Sequence, residues 1–212
     1  AIRYCLNNAE QYKVQLRALL RASAFGDIKI MLPLVTAVDE VREAKALVEE
    51  CKRELDAEGV AYNKDIEVGT MIETPSASLI ADKLARECDF FSIGTNDLIG
   101  YTMCADRGND RVAYLYEVYQ PSVLRSLKFL IGEGNKEKIM VGMCGEAAAD
   151  PLLIPVLLSF GLDEFSVSAP SVLRTRKTIA AWTKAEADEL TARVMELDTA
   201  AEVKALLERE AR

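Results

Sequence analysis

The sequence predicts an α/β protein that forms part of a (β/α)8 barrel, the TIM-barrel architecture. Short apolar runs alternate with amphipathic helical patterns, which indicates a parallel sheet covered by helices. Polar side chains follow four successive apolar runs, and only five such runs occur, whereas a closed barrel has eight strands. We therefore expect residues 1–212 to be a single domain, a C-terminal barrel fragment with about five of the eight βα units.

The five predicted strands are short, apolar and bounded by glycine, proline or acidic residues, as buried parallel strands commonly are. They cover residues 29–35, 66–73, 90–95, 138–144 and 164–168. An open, doubly wound sheet would gather ligand groups at the one point where its strand order reverses. A barrel brings groups from several successive strand ends onto one face. The polar residues after four successive strands therefore favour the barrel over the open sheet.

Helical patterns connect the predicted strands and follow the last one. They cover residues 39–58, 75–87, 121–133 and 151–160 between strands, and 174–183 and 184–210 after them. Three of the connecting helices have a proline where a first helical turn tolerates it. Residues 1–25 are also helical in pattern, so the chain starts inside a helix, and it starts with alanine. We therefore expect about three βα units to precede it in the intact protein.

Composition and charge exclude several classes of function. The 26 basic and 34 acidic residues give a net charge of −8, which disfavours a general nucleic-acid binder because such a protein needs a basic face. No segment is apolar and long enough to insert into a membrane, and the first residues lack the apolar core of a signal peptide. We expect a cytoplasmic protein.

The cysteine and histidine content limits the available chemistry. Five cysteines are scattered without CxxC spacing, which predicts reduced thiols and neither a disulfide framework nor a zinc site. The chain contains no histidine. Acid–base chemistry would therefore depend on cysteine, carboxylate, lysine or tyrosine side chains.

Two carboxylates, Glu73 and Asp97, follow adjacent predicted strands. A pair of carboxylates without a cysteine or histidine cluster suits a hard divalent cation such as Mg²⁺, which completes its coordination shell with water and substrate. Two capping carboxylates at the starts of the following helices would give the same pattern, because Asp is a common N-cap. The spacing alone leaves both interpretations open.

Arg107 and Cys144 are the other candidates near the strand ends. Arg107 lies in a Gly/Asn loop ten residues after Asp97 and could pair bidentately with a carboxylate or phosphate; the alternative is a surface salt bridge with Asp106 or Asp110. Cys144 ends a strand in VGMCGE, where the adjacent glycines leave space for a thiol that donates or removes a proton. Its alternative role is that of a small buried apolar side chain.

Four segments together resemble a known family. GTMIETPSASLIAD, DFFSIGTNDLIGYTMCADRGND, VGMCGEAAADP and GLDEFSVSA resemble the phosphoenolpyruvate-binding domain of enzyme I, the phosphoenolpyruvate-protein phosphotransferase of the bacterial sugar phosphotransferase system. The resemblance extends over essentially the whole chain and implies a barrel of the phosphoenolpyruvate/pyruvate type. Pyruvate phosphate dikinases and phosphoenolpyruvate synthases share GTNDL and a CGE-like element, and they remain an alternative. A non-catalytic dimerisation fragment is a second alternative.

The resemblance implies a role for each candidate residue. Glu73 and Asp97 would hold the Mg²⁺ that bridges the phosphate and carboxylate of phosphoenolpyruvate. Asn96 and Arg107 would bind substrate oxygens. Cys144 would protonate the enolate carbon as pyruvate leaves.

The resemblance also implies partners that this chain does not contain. The intact protein would transfer the phosphoryl group to a histidine on an N-terminal domain, and from there to a small phosphocarrier protein, in the first step of sugar uptake. It would be a homodimer, with no role for nucleic acid or membrane insertion. Since this chain has no histidine, we expect it to lack phosphotransfer activity alone. It departs from the family pattern at Ile99-Gly100, where Thr-Gln is common, and at Ala149, where glycine is frequent.

Overall fold

The protein contains one five-stranded parallel sheet. The computed structural model describes all 212 residues. The strands are β1 (Ile30–Leu32), β2 (Val68–Ile72), β3 (Phe90–Gly94), β4 (Met140–Cys144) and β5 (Glu164–Phe165), and their order in the sheet is the order in the chain. All neighbouring pairs are parallel. An order without reversal is the order of a barrel and not of a doubly wound sheet, so the predicted fold class is confirmed.

Helices precede the sheet, connect its strands and follow it. They are α1 (Ile2–Asn7), α2 (Ala9–Ala22), α3 (Val38–Glu58), α4 (Pro75–Leu79), α5 (Ala81–Leu84), α6 (Thr95–Met103), α7 (Pro121–Glu137), α8 (Ile154–Phe160), α9 (Val172–Ala180), α10 (Lys184–Val194) and α11 (Ala200–Glu210). None of them combines the length and the apolar character needed to cross a lipid bilayer.

The longest helix, α3, shows why these segments are helical. Its buried residues recur at helical spacing and form one apolar face: Val41, Ala44, Val48, Cys51 and Leu55. The helix ends at Gly59, whose φ of 69° is the left-handed conformation in which helices commonly terminate.

The two faces of the sheet differ in what covers them. On β1, Ile30 and Leu32 are buried in the helix-covered core, while Met31 between them is 44% exposed. The register places Gly69 beside Met31, and Cys144 and Gly94 beside each other near the ends of their strands. Because β1 and β5 each pair with only one neighbour, both outer strands have an unpaired edge.

Three predicted helices are interrupted in the structure, so their predicted continuity was wrong. The first breaks at Asn8 (φ −128°) and the second at Ile80 (φ −110°), where the backbone leaves the helical region. The predicted helix over residues 184–210 is two helices, because Thr199 starts a new one. Its side chain accepts from the backbone N–H of Glu202, whose carboxylate in turn accepts from the N–H of Thr199.

Candidate functional site

Glu73 is fixed in place by two neighbouring strands. It directly follows β2, is 4% exposed, and accepts a hydrogen bond from the backbone N–H of Leu34 at 2.6 Å. On its other side lies Gly94, the last residue of β3. A Cβ atom added to Gly94 would lie 2.6 Å from Oε2 of Glu73, so only glycine leaves room for this carboxylate.

Asp97 lies in the first turn of α6, which begins directly after β3. The exposed Asp97 carboxylate is next to the buried one of Glu73. Burial raises the pKa of Glu73, the hydrogen bond from Leu34 opposes this shift, and the negative charge of Asp97 raises the pKa further. The structure therefore brings the two predicted carboxylates together.

Neither carboxylate caps a helix. The N-cap of α4 is Thr74, whose side chain accepts from the backbone N–H of Ala77, and the N-cap of α6 is Gly94. The capping alternative that the sequence left open does not describe Glu73 or Asp97.

The carboxylate pair fits Mg²⁺ by the chemistry of its donors. No group of three or more cysteine, histidine or acidic side chains is arranged to hold a metal ion. Two carboxylates are nevertheless sufficient for Mg²⁺, which usually binds through one or two of them and takes its other ligands from water and substrate phosphate. A cation would also relieve the like-charge contact between Glu73 and Asp97.

A cavity of about 440 Å³ adjoins the carboxylate pair, and Asn96, Asp97, Arg107 and Tyr116 are among its lining residues. Arg107 is exposed and makes no ion pair. The Asp106 carboxylate instead accepts from the backbone N–H of Gly108 at 2.8 Å and so closes the loop. The predicted alternative of a salt bridge with Asp106 or Asp110 is therefore wrong, and the Arg107 guanidinium faces the cavity without a counter-ion.

Cys144 ends β4 and is partly exposed. Its Sγ lies 3.8 Å from the hydroxyl of Ser92, which donates to it, and 3.5 Å from the carbonyl oxygen of Ile93. Its partner in the sheet register is Gly94, the same residue that packs against Glu73. Cys144 therefore occupies the same end of the sheet as the carboxylate pair, and it is not simply a buried apolar side chain.

Several residues that support this site were not predicted from the sequence. Thr95 donates from Oγ1 to the carbonyl oxygen of Cys144 at 2.9 Å and links the ends of β3 and β4. Gly145 has a φ of 89°, and a Cβ atom there would lie 2.3 Å from Oγ1 of Thr95. The hydroxyl of Tyr116 donates to the carbonyl oxygen of Asn96 at 2.8 Å. The glycine that follows Cys144 could have indicated close packing at this strand end. No sequence pattern indicates the roles of Thr95 and Tyr116.

Residues 1–184, most of the chain that forms this sheet and site, match the family of PEP-utilising enzymes, PEP-binding domain. The chain belongs to this family. It is 51% identical over 209 residues to the phosphoenolpyruvate-protein phosphotransferase of Geobacillus stearothermophilus, 51% over 207 residues to that of Bacillus subtilis, and 49% over 209 residues to that of Listeria monocytogenes. These matches confirm the resemblance seen in the sequence.

The comparisons also give the extent of the match. The alignments cover 98–99% of this chain and 36% of each relative, so the chain spans about a third of their length. Among solved structures, a citrate lyase from Burkholderia xenovorans superposes with a TM-score of 0.59, covering 93% of this chain and 67% of its own. At 17% sequence identity this likeness concerns the fold alone.

Gly145→Ala should lower the free energy of unfolding by about 1–3 kcal/mol, because alanine disfavours a positive φ and its Cβ would displace Thr95. Urea denaturation measures the change. Gly132→Ala is the matched control: no atom lies within 4 Å of the added Cβ in α7, so stability should rise by up to about 1 kcal/mol. Equal effects of the two substitutions would contradict the proposed crowding at Gly145.

Proposed function

We propose that this chain is the phosphoenolpyruvate- and Mg²⁺-binding part of a phosphoenolpyruvate-protein phosphotransferase. The observation that carries the proposal is the cluster at one end of the sheet, where Asp97, which lies next to the buried carboxylate of Glu73, and Arg107, which has no counter-ion, line one cavity. Carboxylates suit the cation, and the guanidinium suits the phosphate or carboxylate of the substrate. The relatives are phosphoenolpyruvate-protein phosphotransferases by name, which supports this activity over the dikinase alternative.

Each residue has a chemical task under this proposal. Glu73 and Asp97 bind the cation, which supplies charge neutralisation for phosphoryl transfer. Arg107 and Asn96 bind and orient the oxygens of the substrate. When the bond between phosphorus and the enol oxygen breaks, the phosphoryl group leaves for the acceptor and an enolate remains. The Cys144 thiol gives its proton to the enolate carbon, which yields pyruvate, and the Ser92 hydroxyl donates to the resulting thiolate.

The phosphoryl acceptor belongs to another part of the intact protein under this proposal, because the chain has no histidine. We infer that the acceptor histidine lies on an N-terminal domain, and that a small phosphocarrier protein receives the phosphoryl group next, in the cytoplasm, as the first step of sugar uptake. The isolated chain would then bind ligand without completing the transfer.

Glu73→Gln should weaken Mg²⁺-dependent binding of phosphoenolpyruvate at least about ten-fold, because it removes a charged metal ligand. Glutamine keeps an oxygen that can accept from Leu34, so the fold should be preserved. Titration calorimetry of the chain with phosphoenolpyruvate, with and without Mg²⁺, measures the effect.

Glu43→Gln is the control for this substitution, since Glu43 is exposed on α3 and takes no part in the carboxylate pair. Equal affinities of the two variants would exclude Glu73 as a ligand. If the unmodified chain bound no phosphoenolpyruvate at all, a non-catalytic dimerisation fragment would be the better interpretation.

Cys144→Ala should slow the Mg²⁺-dependent exchange of pyruvate methyl protons with D₂O at least about 100-fold, since a positioned acid–base group contributes that much. Proton NMR follows this exchange without any phosphoryl acceptor. Cys5→Ala is the control, because Cys5 is the other partly exposed cysteine, lies on α1 and does not line the cavity. Unchanged exchange in Cys144→Ala would remove this thiol from the mechanism.

Self-association of the chain is a further part of the proposal. The unpaired edges of β1 and β5 can pair with strands of another copy. We expect light scattering to give at least a dimer at micromolar concentrations. A monomer over the whole accessible concentration range would show that these edges are protected.

A further inference from the structure

Tyr116 lines the cavity that adjoins the carboxylate pair. It follows the short helical turn Ala113–Leu115 and lines the same cavity as Asn96, Asp97 and Arg107. Its ring packs near Gly100, where an added Cβ atom would lie 3.6 Å from Cε2 of the tyrosine. Gly100 is one of the positions at which the sequence departs from the family pattern, and the nearest atom to its added Cβ is the backbone oxygen of Ala105, at 3.3 Å.

The hydroxyl of Tyr116 has a defined direction. It donates to the carbonyl oxygen of Asn96 at 2.8 Å, so its single proton is already engaged with α6. A phenol has one donor and can also accept, and its lone pairs therefore remain for a donor on the other side. A phenylalanine ring could fill the same volume without this polarity.

Arg107 lines the same cavity, and its cation is a neighbour of this hydroxyl. Burial raises the pKa of Tyr116, and the Arg107 cation opposes that shift, while the charges of Glu146 and Asp97 reinforce it. The loop that carries Arg107 is closed by hydrogen bonds of its backbone, from Gly108 to Asp106 and from Asn109 to Asp106. The loop backbone is thus ordered, but the long Arg107 side chain has no carboxylate to hold it.

We propose that Tyr116 is a positioning residue that links Asn96 to Arg107 and holds the guanidinium toward the cavity before an anionic ligand arrives. An arginine side chain that is free to rotate loses conformational entropy on binding, and ordering it in advance reduces that loss. The identity of the ligand as phosphoenolpyruvate rests on the proposed function, whereas the proposed effect of Tyr116 on Arg107 does not.

Tyr116→Phe removes one oxygen atom and keeps the ring. Tyr114→Phe is the matched control, since Tyr114 lies two residues earlier, is 71% exposed and makes no hydrogen bond through its hydroxyl in this structure. The first measurement is ¹⁵N relaxation of the Arg107 Nε–H group, assigned by comparison with Arg107→Lys. We expect a lower order parameter in Tyr116→Phe only.

The second measurement is the affinity for phosphoenolpyruvate with Mg²⁺, determined by calorimetry. We expect Tyr116→Phe to bind about five-fold more weakly, the factor for one lost hydrogen bond, and Tyr114→Phe to bind like the unmodified chain. The same five-fold effect should disappear when Tyr116→Phe is combined with Arg107→Ala, because a residue that acts through Arg107 has no effect once Arg107 is absent. Thermal unfolding of all variants checks that the fold is retained.

The relaxation and binding measurements each test the positioning role of Tyr116. Unchanged Arg107 relaxation in Tyr116→Phe would overturn it, as would an equal change in Tyr114→Phe. A binding loss that persists in the Arg107→Ala background would also overturn it, because Tyr116 would then act independently. If the unmodified chain binds no phosphoenolpyruvate, the proposed function fails, and the relaxation comparison still decides the role of Tyr116.

Discussion

The buried carboxylate of Glu73 lies against the carboxylate of Asp97, and both desolvation and like charge oppose its ionisation. The surrounding backbone compensates in part. Leu34 donates its N–H to Glu73, and Asp97 sits in the first turn of α6, where the positive end of the helix dipole favours an anion. Under the proposed function, a cation bound between the two carboxylates would relieve this unfavourable contact, so that stability of the free chain is exchanged for affinity.

Close backbone approach at the ends of β3 and β4 makes this arrangement possible. Gly94 leaves space for Glu73, and Gly145 leaves space for the Thr95 hydroxyl that bonds to the carbonyl oxygen of Cys144. The hydrogen bond from Thr95 connects the ends of β3 and β4. Glu73 packs against Gly94 at this point, and Cys144 is the register partner of Gly94. The positions of the charged groups therefore depend on residues that have no charge themselves.

Much of this organisation could be predicted because it follows from local patterns. The apolar runs identified all five strands, and the rule that parallel strands end on one face placed Glu73, Asp97 and Cys144 together. The breaks at Asn8 and Thr199 were missed, although the Thr-x-x-Glu motif at Thr199 is a known start signal.

Other features could not be predicted from local patterns. The capping and metal-binding interpretations of Glu73 and Asp97 differ only in side-chain direction, which the spacing of residues does not specify. The same limit applies to Arg107, whose alternative partners Asp106 and Asp110 are near it in sequence but make no ion pair with it. Tyr116 carries no signal at all, because its bond to Asn96 joins residues 20 positions apart through an irregular loop.

The unpaired Arg107 lies on a chain whose net charge is −8, and these two facts act on an approaching anion over different distances. Far from the surface, the overall field repels the anion, and ions in solution screen this repulsion beyond about 8–10 Å at physiological ionic strength. Close to the cavity, the guanidinium attracts the anion, whereas Asp97 and Asp106, which line the same cavity, add to the repulsion. Moderate salt would therefore speed the encounter of an anionic ligand with this chain, the reverse of the usual electrostatic steering, in which salt slows association.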